Sequence, residues 1–238
     1  MQFSAILESK PSNSSGEPTQ GGASVSFIIS KNPRTLSLEE NSSFYTTEVM
    51  DFWRPIYKSE ALFDGKLSAY TYLKSLDITF HDYLEKSKLK KSEIDYFCFH
   101  CPFGKMVRKA ARQIGDVDIE DTILYNTIIG NSCSASLYMC FVSLLDNSKK
   151  DLSNKRIGFF SYGSGSVAEF FSGKISEGYK NYLFSDENKK SLDSRSEISF
   201  EEYEMFRKNE FDRNDVYENC GSVRFSGIVD DKRIYERV

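Results

Sequence analysis

Residues 96–109 bring a histidine and several basic residues close together in the chain. His100 follows a short apolar run and precedes Lys105, Arg108 and Lys109. An imidazole can donate a hydrogen bond to a carbonyl or accept a proton near neutral pH, and a basic patch attracts phosphate. This order predicts a site for a thioester whose carrier bears phosphates. The alternatives are a histidine packed in the core and a solvated basic face.

Two further segments place polar groups where a chain turn is expected. Asn131 lies between Gly130 and an apolar segment, residues 132–147, and Ser164 follows Gly163 in a glycine-rich turn. Backbone N–H groups and an amide at the start of a helix can bind an anion or an oxyanion. Glycines let the backbone approach a ligand. A plain helix cap and an ordinary turn remain the alternatives.

The only tryptophan lies in a third candidate segment, residues 51–55. Asp51 and Phe52 precede Trp53 there, next to an arginine and a proline. Aromatic loops of this kind line pockets or pack on the core, and the sequence leaves both readings open. The other histidine, His81, is expected on the exposed side of a helix.

Composition excludes several classes of protein. The chain has 238 residues, 39% of them hydrophobic, and a net charge of −4, so nucleic acid is not expected as the main partner. Apolar runs of about ten residues are too short to span a bilayer, and the first residues do not resemble a signal peptide. Five cysteines fit a reducing cytoplasm. Cys98 and Cys101 lack the further ligands of a metal site, so we expect packing residues and no metal.

Strands alternating with helices predict an α/β layer architecture. The pattern predicts strands in residues 3–7, 23–30, 94–102, 156–166 and 222–231, and helices in residues 66–86, 104–113, 132–147 and 198–209. Residues 31–65 are expected to form loops, and the polar residues 176–197 a surface excursion. We expect one half-domain over residues 1–238.

Six segments together resemble the C-terminal half of the 3-hydroxy-3-methylglutaryl-CoA synthase family, a branch of the thiolase superfamily. The resemblance rests on residues 18–23 (PTQGGA), 51–55 (DFWRP), 64–68 (DGKLS), 99–111 (FHCPFGKMVRKAA), 130–138 (GNSCSASLY) and 160–165 (FSYGSG). They occur in the family's order and at similar separations. The resemblance implies the C-terminal half of a thiolase-like αβαβα fold.

The resemblance also implies roles for individual residues. His100 would polarise the acceptor thioester or its β-carbonyl, and Asp51 would support the acid–base network. Substrate-binding positions would be Asn131, Ser164, Phe52 and Gly163. Lys105 and Lys109 would meet the phosphates of coenzyme A or of a phosphopantetheine arm. No permanently bound cofactor is expected.

The family's nucleophilic cysteine and catalytic glutamate belong to its N-terminal half, which nothing in this sequence matches. Cys133 and Cys101 are weak local substitutes. We therefore expect a partner chain that supplies both groups, in a natural split enzyme rather than a truncated one, assembled as a two-plus-two heteromer in the cytoplasm.

The expected reaction adds an acetyl group to a β-ketoacyl thioester. Two substrates are considered for this reaction. A β-ketoacyl group on an acyl carrier protein, as in polyketide β-branching, is favoured over acetoacetyl-CoA, as in mevalonate synthesis. A non-catalytic scaffold and a ketoacyl synthase are the other hypotheses.

Overall fold

The computed structural model describes residues 2–4, 14, 16–58, 61–208, 222–229 and 232–237. The chain divides into two compact units, Met1–Ser185 and Asp186–Val238. The first unit contains all the residues that the sequence analysis selected for a site.

A four-stranded sheet forms the centre of the first unit. In chain order, the helices and strands of this unit are β1 (Gln2–Ser4), β2 (Ser24–Ser26), β3 (Leu36–Thr46), β4 (Phe52–Trp53), β5 (Leu62–Phe63), α1 (Gly65–Ser87), β6 (Tyr96–Phe99), α2 (Gly104–Gln113), α3 (Glu120–Ile129), α4 (Ala135–Asn147), β7 (Arg156–Gly163) and β8 (Val167–Ile175). The central sheet has the order β3-β8-β7-β6. Only β6 and β7 run parallel, and the other two pairs are antiparallel.

Helix α1 covers one face of this sheet, as the apolar spacing of residues 66–86 predicts. Asp64 starts the helix because its carboxylate accepts the N–H groups of Lys66 and Leu67 at 3.0 Å. Tyr72 packs edge-on against Phe160, with ring centroids 5.1 Å apart. The existence and length of this helix are therefore confirmed.

The buried face of α1 is rotated from the face that the apolar pattern indicates. Leu67 and Tyr70 are exposed, whereas Ser75 and Thr79 are fully buried. The Thr79 hydroxyl donates to the carbonyl of Ser75 at 2.8 Å, which satisfies it without water. Small hydroxyl side chains thus let the helix lie close to the sheet.

Helix α4 covers the opposite face, where Phe141 packs edge-on against Phe159 with the ring centroids 5.4 Å apart. Helix α3 packs beside α4. The prediction of loops throughout residues 31–65 is wrong, because β3 forms a long edge strand there. Its hydrophobic residues are few and do not alternate regularly, and pairing with β8 determines its conformation.

The second unit contains most of α5 (Ser185–Asp193), then α6 (Phe200–Lys208) and an antiparallel ribbon of β9 (Val223–Val229) and β10 (Lys232–Arg237). The predicted helix is confirmed over Phe200–Lys208 and the predicted strand over Val223–Val229, and residues 209, 230 and 231 lie outside the described residues. Within the segment predicted as a surface excursion, Tyr179 is buried, and its hydroxyl accepts the N–H of Leu152 at 3.3 Å. A single half-domain over the whole chain stays a prediction. Among the described residues, no helix is long and apolar enough to cross a membrane.

Candidate active site

His100 lies where β6 ends, and its backbone is held on both sides. Its N–H donates to the carbonyl of Phe160 on β7 at 2.7 Å, and its own carbonyl accepts the Tyr72 hydroxyl at 2.7 Å. The imidazole is half-buried, and no described residue hydrogen-bonds to the ring. Burial lowers the pKa of His100 to about 4. The ring is therefore neutral near pH 7, with one nitrogen able to donate and the other able to accept.

Tyr162 and Asp51 form a buried pair next to this histidine. The ring centroids of His100 and Tyr162 are 6.5 Å apart. The Tyr162 hydroxyl donates to Asp51 Oδ2 at 3.2 Å, and the Gly165 N–H donates to Asp51 Oδ1 at 2.8 Å. Burial, followed by the nearby Asp51 carboxylate, raises the pKa of Tyr162. Asp51 therefore anchors the turn after β7, and its two oxygens are engaged by donors from that region.

The turn that Asp51 anchors carries the predicted residues Gly163 and Ser164. Both are exposed at the end of β7, whereas Ser166 is fully buried. Gly165 has a φ of +99°, in the left-handed region that glycine adopts without strain. The arrangement leaves the Ser164 side chain at the surface, where it is accessible to a ligand.

Asn131 lies in the connection between α3 and α4, and its backbone is paired with a distant segment. Its N–H donates to the carbonyl of Thr19 at 2.8 Å, and its carbonyl accepts the N–H of Gly21 at 2.9 Å. Its side-chain Oδ1 accepts the N–H of Cys133 at 3.0 Å. Asn131 thus closes a local turn before α4 and is not the N-cap residue, which is Ser134. Among the described residues, no group accepts from its amide N–H donors.

Ser136 joins the His100 strand end to the Asn131 connection. Its hydroxyl accepts the N–H of Cys101 at 2.7 Å and donates to the carbonyl of Cys101 at 2.9 Å. The amide of Asn126 on α3 donates to the carbonyl of Ser136 at 3.0 Å. Sequence reasoning did not select Ser136, Tyr162 or Tyr72 as site residues. Their roles depend on contacts across the fold, and no local pattern indicates them.

The basic helix α2 carries two lysines without an ion pair among the described residues. Arg108 forms an ion pair with Glu120. Lys105 and Lys109 are exposed and lie one helical turn apart, and neither has an ion pair among the described residues. These two lysines therefore offer charge to a ligand, whereas Arg108 does not.

Phe52 lies in a short ribbon that leads into α1. It is paired with Phe63 and half-buried, and the Asp64 N–H donates to the carbonyl of Asp51 at 2.8 Å. The β4–β5 ribbon places Phe52 directly beside the buried Asp51. The described contacts thus connect His100, Tyr162, Asp51 and the Ser164 turn, but they do not bring Phe52, Lys105 or Lys109 into contact with His100.

The cysteines near the histidine are core residues. Cys98, Cys101 and Cys140 are buried, and the Cys140 thiol donates to the carbonyl of Phe99 at 3.2 Å. Burial raises the pKa of Cys98 far above that of a free thiol. Cys133 is exposed and has a φ of +51°. A buried thiol such as Cys101 is a poor nucleophile.

The whole set of segments matches a known family. The sequence profile of the family described as hydroxymethylglutaryl-coenzyme A synthase C terminal matches residues 37–115 and 109–224. The chain belongs to this family. The predicted resemblance and the thiolase-like α/β fold class are confirmed.

Two curated members of the family illustrate the similarity. Hydroxymethylglutaryl-CoA synthase of Enterococcus faecalis is 37% identical over 203 residues, which cover 81% of this chain and 53% of that protein. Polyketide biosynthesis 3-hydroxy-3-methylglutaryl-ACP synthase PksG of Bacillus subtilis is 32% identical over 227 residues, covering 88% of this chain and 51% of that protein. The chain thus spans about half the length of these relatives.

Solved structures of the family show the same fold. A crystal structure of an HMG-CoA synthase complexed with CoA has a TM-score of 0.90 and 32% identity, covering 100% of this chain and 65% of that one. The HMG synthase of the curacin biosynthetic pathway has a TM-score of 0.83 and 25% identity, covering 94% of this chain and 64% of that one.

Proposed function

We propose that this chain is one subunit of a heteromeric HMG-synthase-like enzyme. The complete enzyme adds an acetyl group to the ketone of a β-ketoacyl thioester. A base of the partner chain removes a proton from the methyl group of an acetyl thioester on that chain's cysteine, and the resulting carbanion attacks the ketone carbon to form the new C–C bond. The resulting alkoxide takes up a proton, and water then releases the product from the cysteine thiol.

The position of His100 at the end of β6, held by backbone hydrogen bonds on both sides, is the observation that carries this proposal. A half-buried ring with a pKa of about 4 is uncharged at pH 7, and no described residue hydrogen-bonds to it. It can therefore donate a hydrogen bond to the acceptor carbonyl without losing an existing partner. Asn131 and Ser164 offer further polar groups for the acyl chain, with Phe52 and Gly163 as lining, and Asp51 acts by positioning the Ser164 turn.

A partner chain is proposed for the nucleophilic cysteine and the catalytic glutamate. Cys98, Cys101 and Cys140 are buried in the core, which makes them unsuitable as acetyl carriers. The matches cover only about half of each of the two curated relatives, so the relatives contain a large segment that this chain does not match. We propose that a separate polypeptide takes the place of that segment, in a two-plus-two heteromer in the cytoplasm.

Two carriers are candidates for the acyl groups, and Lys105 and Lys109 suit the phosphate of either. An acyl carrier protein is supported by the similarity to PksG and to the curacin synthase, for which a complex with an acetyl donor-ACP is known. Coenzyme A is supported by the higher identity to the Enterococcus faecalis synthase and by the CoA-bound structure with the 0.90 TM-score. Comparing turnover with acetoacetyl-CoA and with acetoacetyl carrier protein separates the two.

The central test is turnover in the complex reconstituted with the partner chain. We expect His100→Ala to lower kcat at least 100-fold while assembly, followed by size-exclusion chromatography, stays intact. His81→Ala is the matched control, because His81 is exposed on α1 and bonds only to its own helix. Full turnover of the His100→Ala complex would refute the catalytic role and favour a scaffold subunit.

A further inference from the structure

Strands β1 and β2 form a ribbon that is separate from the central sheet. Their antiparallel register pairs Gln2 with Ser26 and Phe3 with Val25. Within the described part of the chain, neither strand belongs to a larger sheet. A two-stranded ribbon is marginally stable in water, and a free strand edge is a template for a further strand. This ribbon therefore has the form of a sheet that another segment completes.

One side of the ribbon is attached to the rest of the first unit. Val25 is buried, and the Phe27 ring lies 5.1 Å from the Tyr138 ring on α4, centroid to centroid. The chain that enters β2 is also held by the backbone hydrogen bonds between Gly21 and Asn131. β2 is thus the strand attached to the rest of the first unit, and no described strand pairs with the other edge of β1.

Two large apolar side chains are exposed directly after β2. Ile28 is 91% exposed and Ile29 is 70% exposed. Adjacent isoleucines that face water at the end of a two-stranded ribbon indicate an interaction surface. We call the unpaired edge of β1, together with Ile28 and Ile29, the ribbon surface.

One comparison supplies a candidate for what covers the ribbon surface. The CoA-bound synthase structure superposes on 100% of this chain, ribbon included, and a further third of its own chain lies outside the match. Building on the proposed function, we propose that the partner chain docks on the ribbon surface, adds a β-strand to the open edge of β1 and covers Ile28 and Ile29. A single sheet would then be shared between the two chains, in a β-strand addition.

The test uses this chain and the polypeptide of the same organism that matches the missing part of the relatives. Affinity is measured by titration calorimetry, and amide hydrogen exchange is followed in residues 2–4. We expect the complex to slow exchange in β1 at least tenfold. We expect the double variant Ile28→Asp, Ile29→Asp to weaken binding at least tenfold. Ile56→Asp, at another fully exposed isoleucine, is the control and should change affinity less than twofold.

Unchanged affinity of the double variant and unchanged exchange in β1 would overturn the docking proposal. So would self-association of this chain through the ribbon, detected by analytical ultracentrifugation and abolished in the double variant, because a second copy would then be the occupant. Turnover of the wild-type complex is measured in parallel. If the double variant weakens binding but the wild-type complex shows no turnover, the docking proposal is supported and the proposed enzyme function is rejected. If the complex turns over substrate but the double variant binds as tightly as the wild type, only the docking proposal is rejected.

Discussion

At the scale of single residues, the protonation state of His100 determines what the site can do. The pKa of about 4 results from burial, which disfavours the charged imidazolium. Between about pH 5 and pH 7 the ring stays neutral, while a histidine in the unfolded chain protonates near pH 6.5. When the pH falls through this window, the unfolded chain binds a proton at this histidine and the folded chain does not. The free energy of unfolding therefore decreases.

Histidine NMR tests this state directly. In the His81→Asn variant the chain retains one histidine, so a single imidazole signal is followed with pH. We expect the midpoint of the His100 titration near pH 4. A midpoint at pH 6.5 or above would contradict the buried neutral ring and would indicate either exposure or an acidic neighbour.

The Asp51 carboxylate allows a graded test at the same scale. Asp51→Asn keeps one oxygen to accept the Gly165 N–H, whereas Asp51→Ala loses both acceptors. We expect a small loss of stability, about 1 kcal/mol, for the asparagine variant and about 3 kcal/mol for the alanine variant. Turnover should decrease in the same order, because the Ser164 turn loses its anchor. Equal effects of the two variants in denaturant unfolding would contradict the anchoring role.

At the scale of elements, sequence reasoning located the helices and strands with strong local patterns. α1 and α2 were predicted within one or two residues because their apolar spacing and turn signals lie in the sequence itself. β3 was missed because its residues are mixed in polarity and its conformation depends on pairing with β8. The candidate residues came from motifs, but the supporting contacts of Tyr162 and Ser136 depend on tertiary packing.

The contact between residues 19–21 and 129–131 gives an element-scale prediction. A Cβ on Gly21 would lie 2.1 Å from the carbonyl oxygen of Ile129, whereas a Cβ on the adjacent Gly22 would meet nothing within 4 Å. Gly21→Ala should therefore separate the two segments, at a cost of about 2 kcal/mol, and displace Asn131. Gly22→Ala is the control and should leave the free energy of unfolding nearly unchanged. Similar unfolding midpoints for both variants would contradict the close backbone contact.

At the scale of the whole first unit, a half-buried ion pair connects the edge strand β3 with the inner strand β7 across β8. Arg156 on β7 donates to both carboxylate oxygens of Glu39 on β3, at 2.9 and 3.0 Å. Burial alone would raise the pKa of Glu39, but hydrogen bonds from Arg156 and Ser172 outweigh it and lower the pKa. The stability that Glu39 contributes is present above its unfolded pKa near 4.5 and is lost as the pH falls further.

Removing the Arg156 side chain should lower the free energy of unfolding, because it leaves the partly buried Glu39 carboxylate without its partner. We expect Arg156→Met to reduce the free energy of unfolding by about 3 kcal/mol. Arg108→Met breaks the exposed pair with Glu120 and should cost less than about 1 kcal/mol. Denaturant unfolding of the two variants measures the difference, and equal losses would contradict the structural role of the buried pair.

The pairing of Gly21 with Asn131 has a consequence for the order in which the protein folds. These residues are about 110 positions apart in the sequence, yet two backbone hydrogen bonds join their segments. Closing so long a loop has a large entropic cost and slows the contacts that depend on it. Helices α1 and α2 can form from local contacts, whereas the connection that presents Asn131 requires the two distant segments to meet. The connection that carries Asn131 should therefore form later than helices α1 and α2.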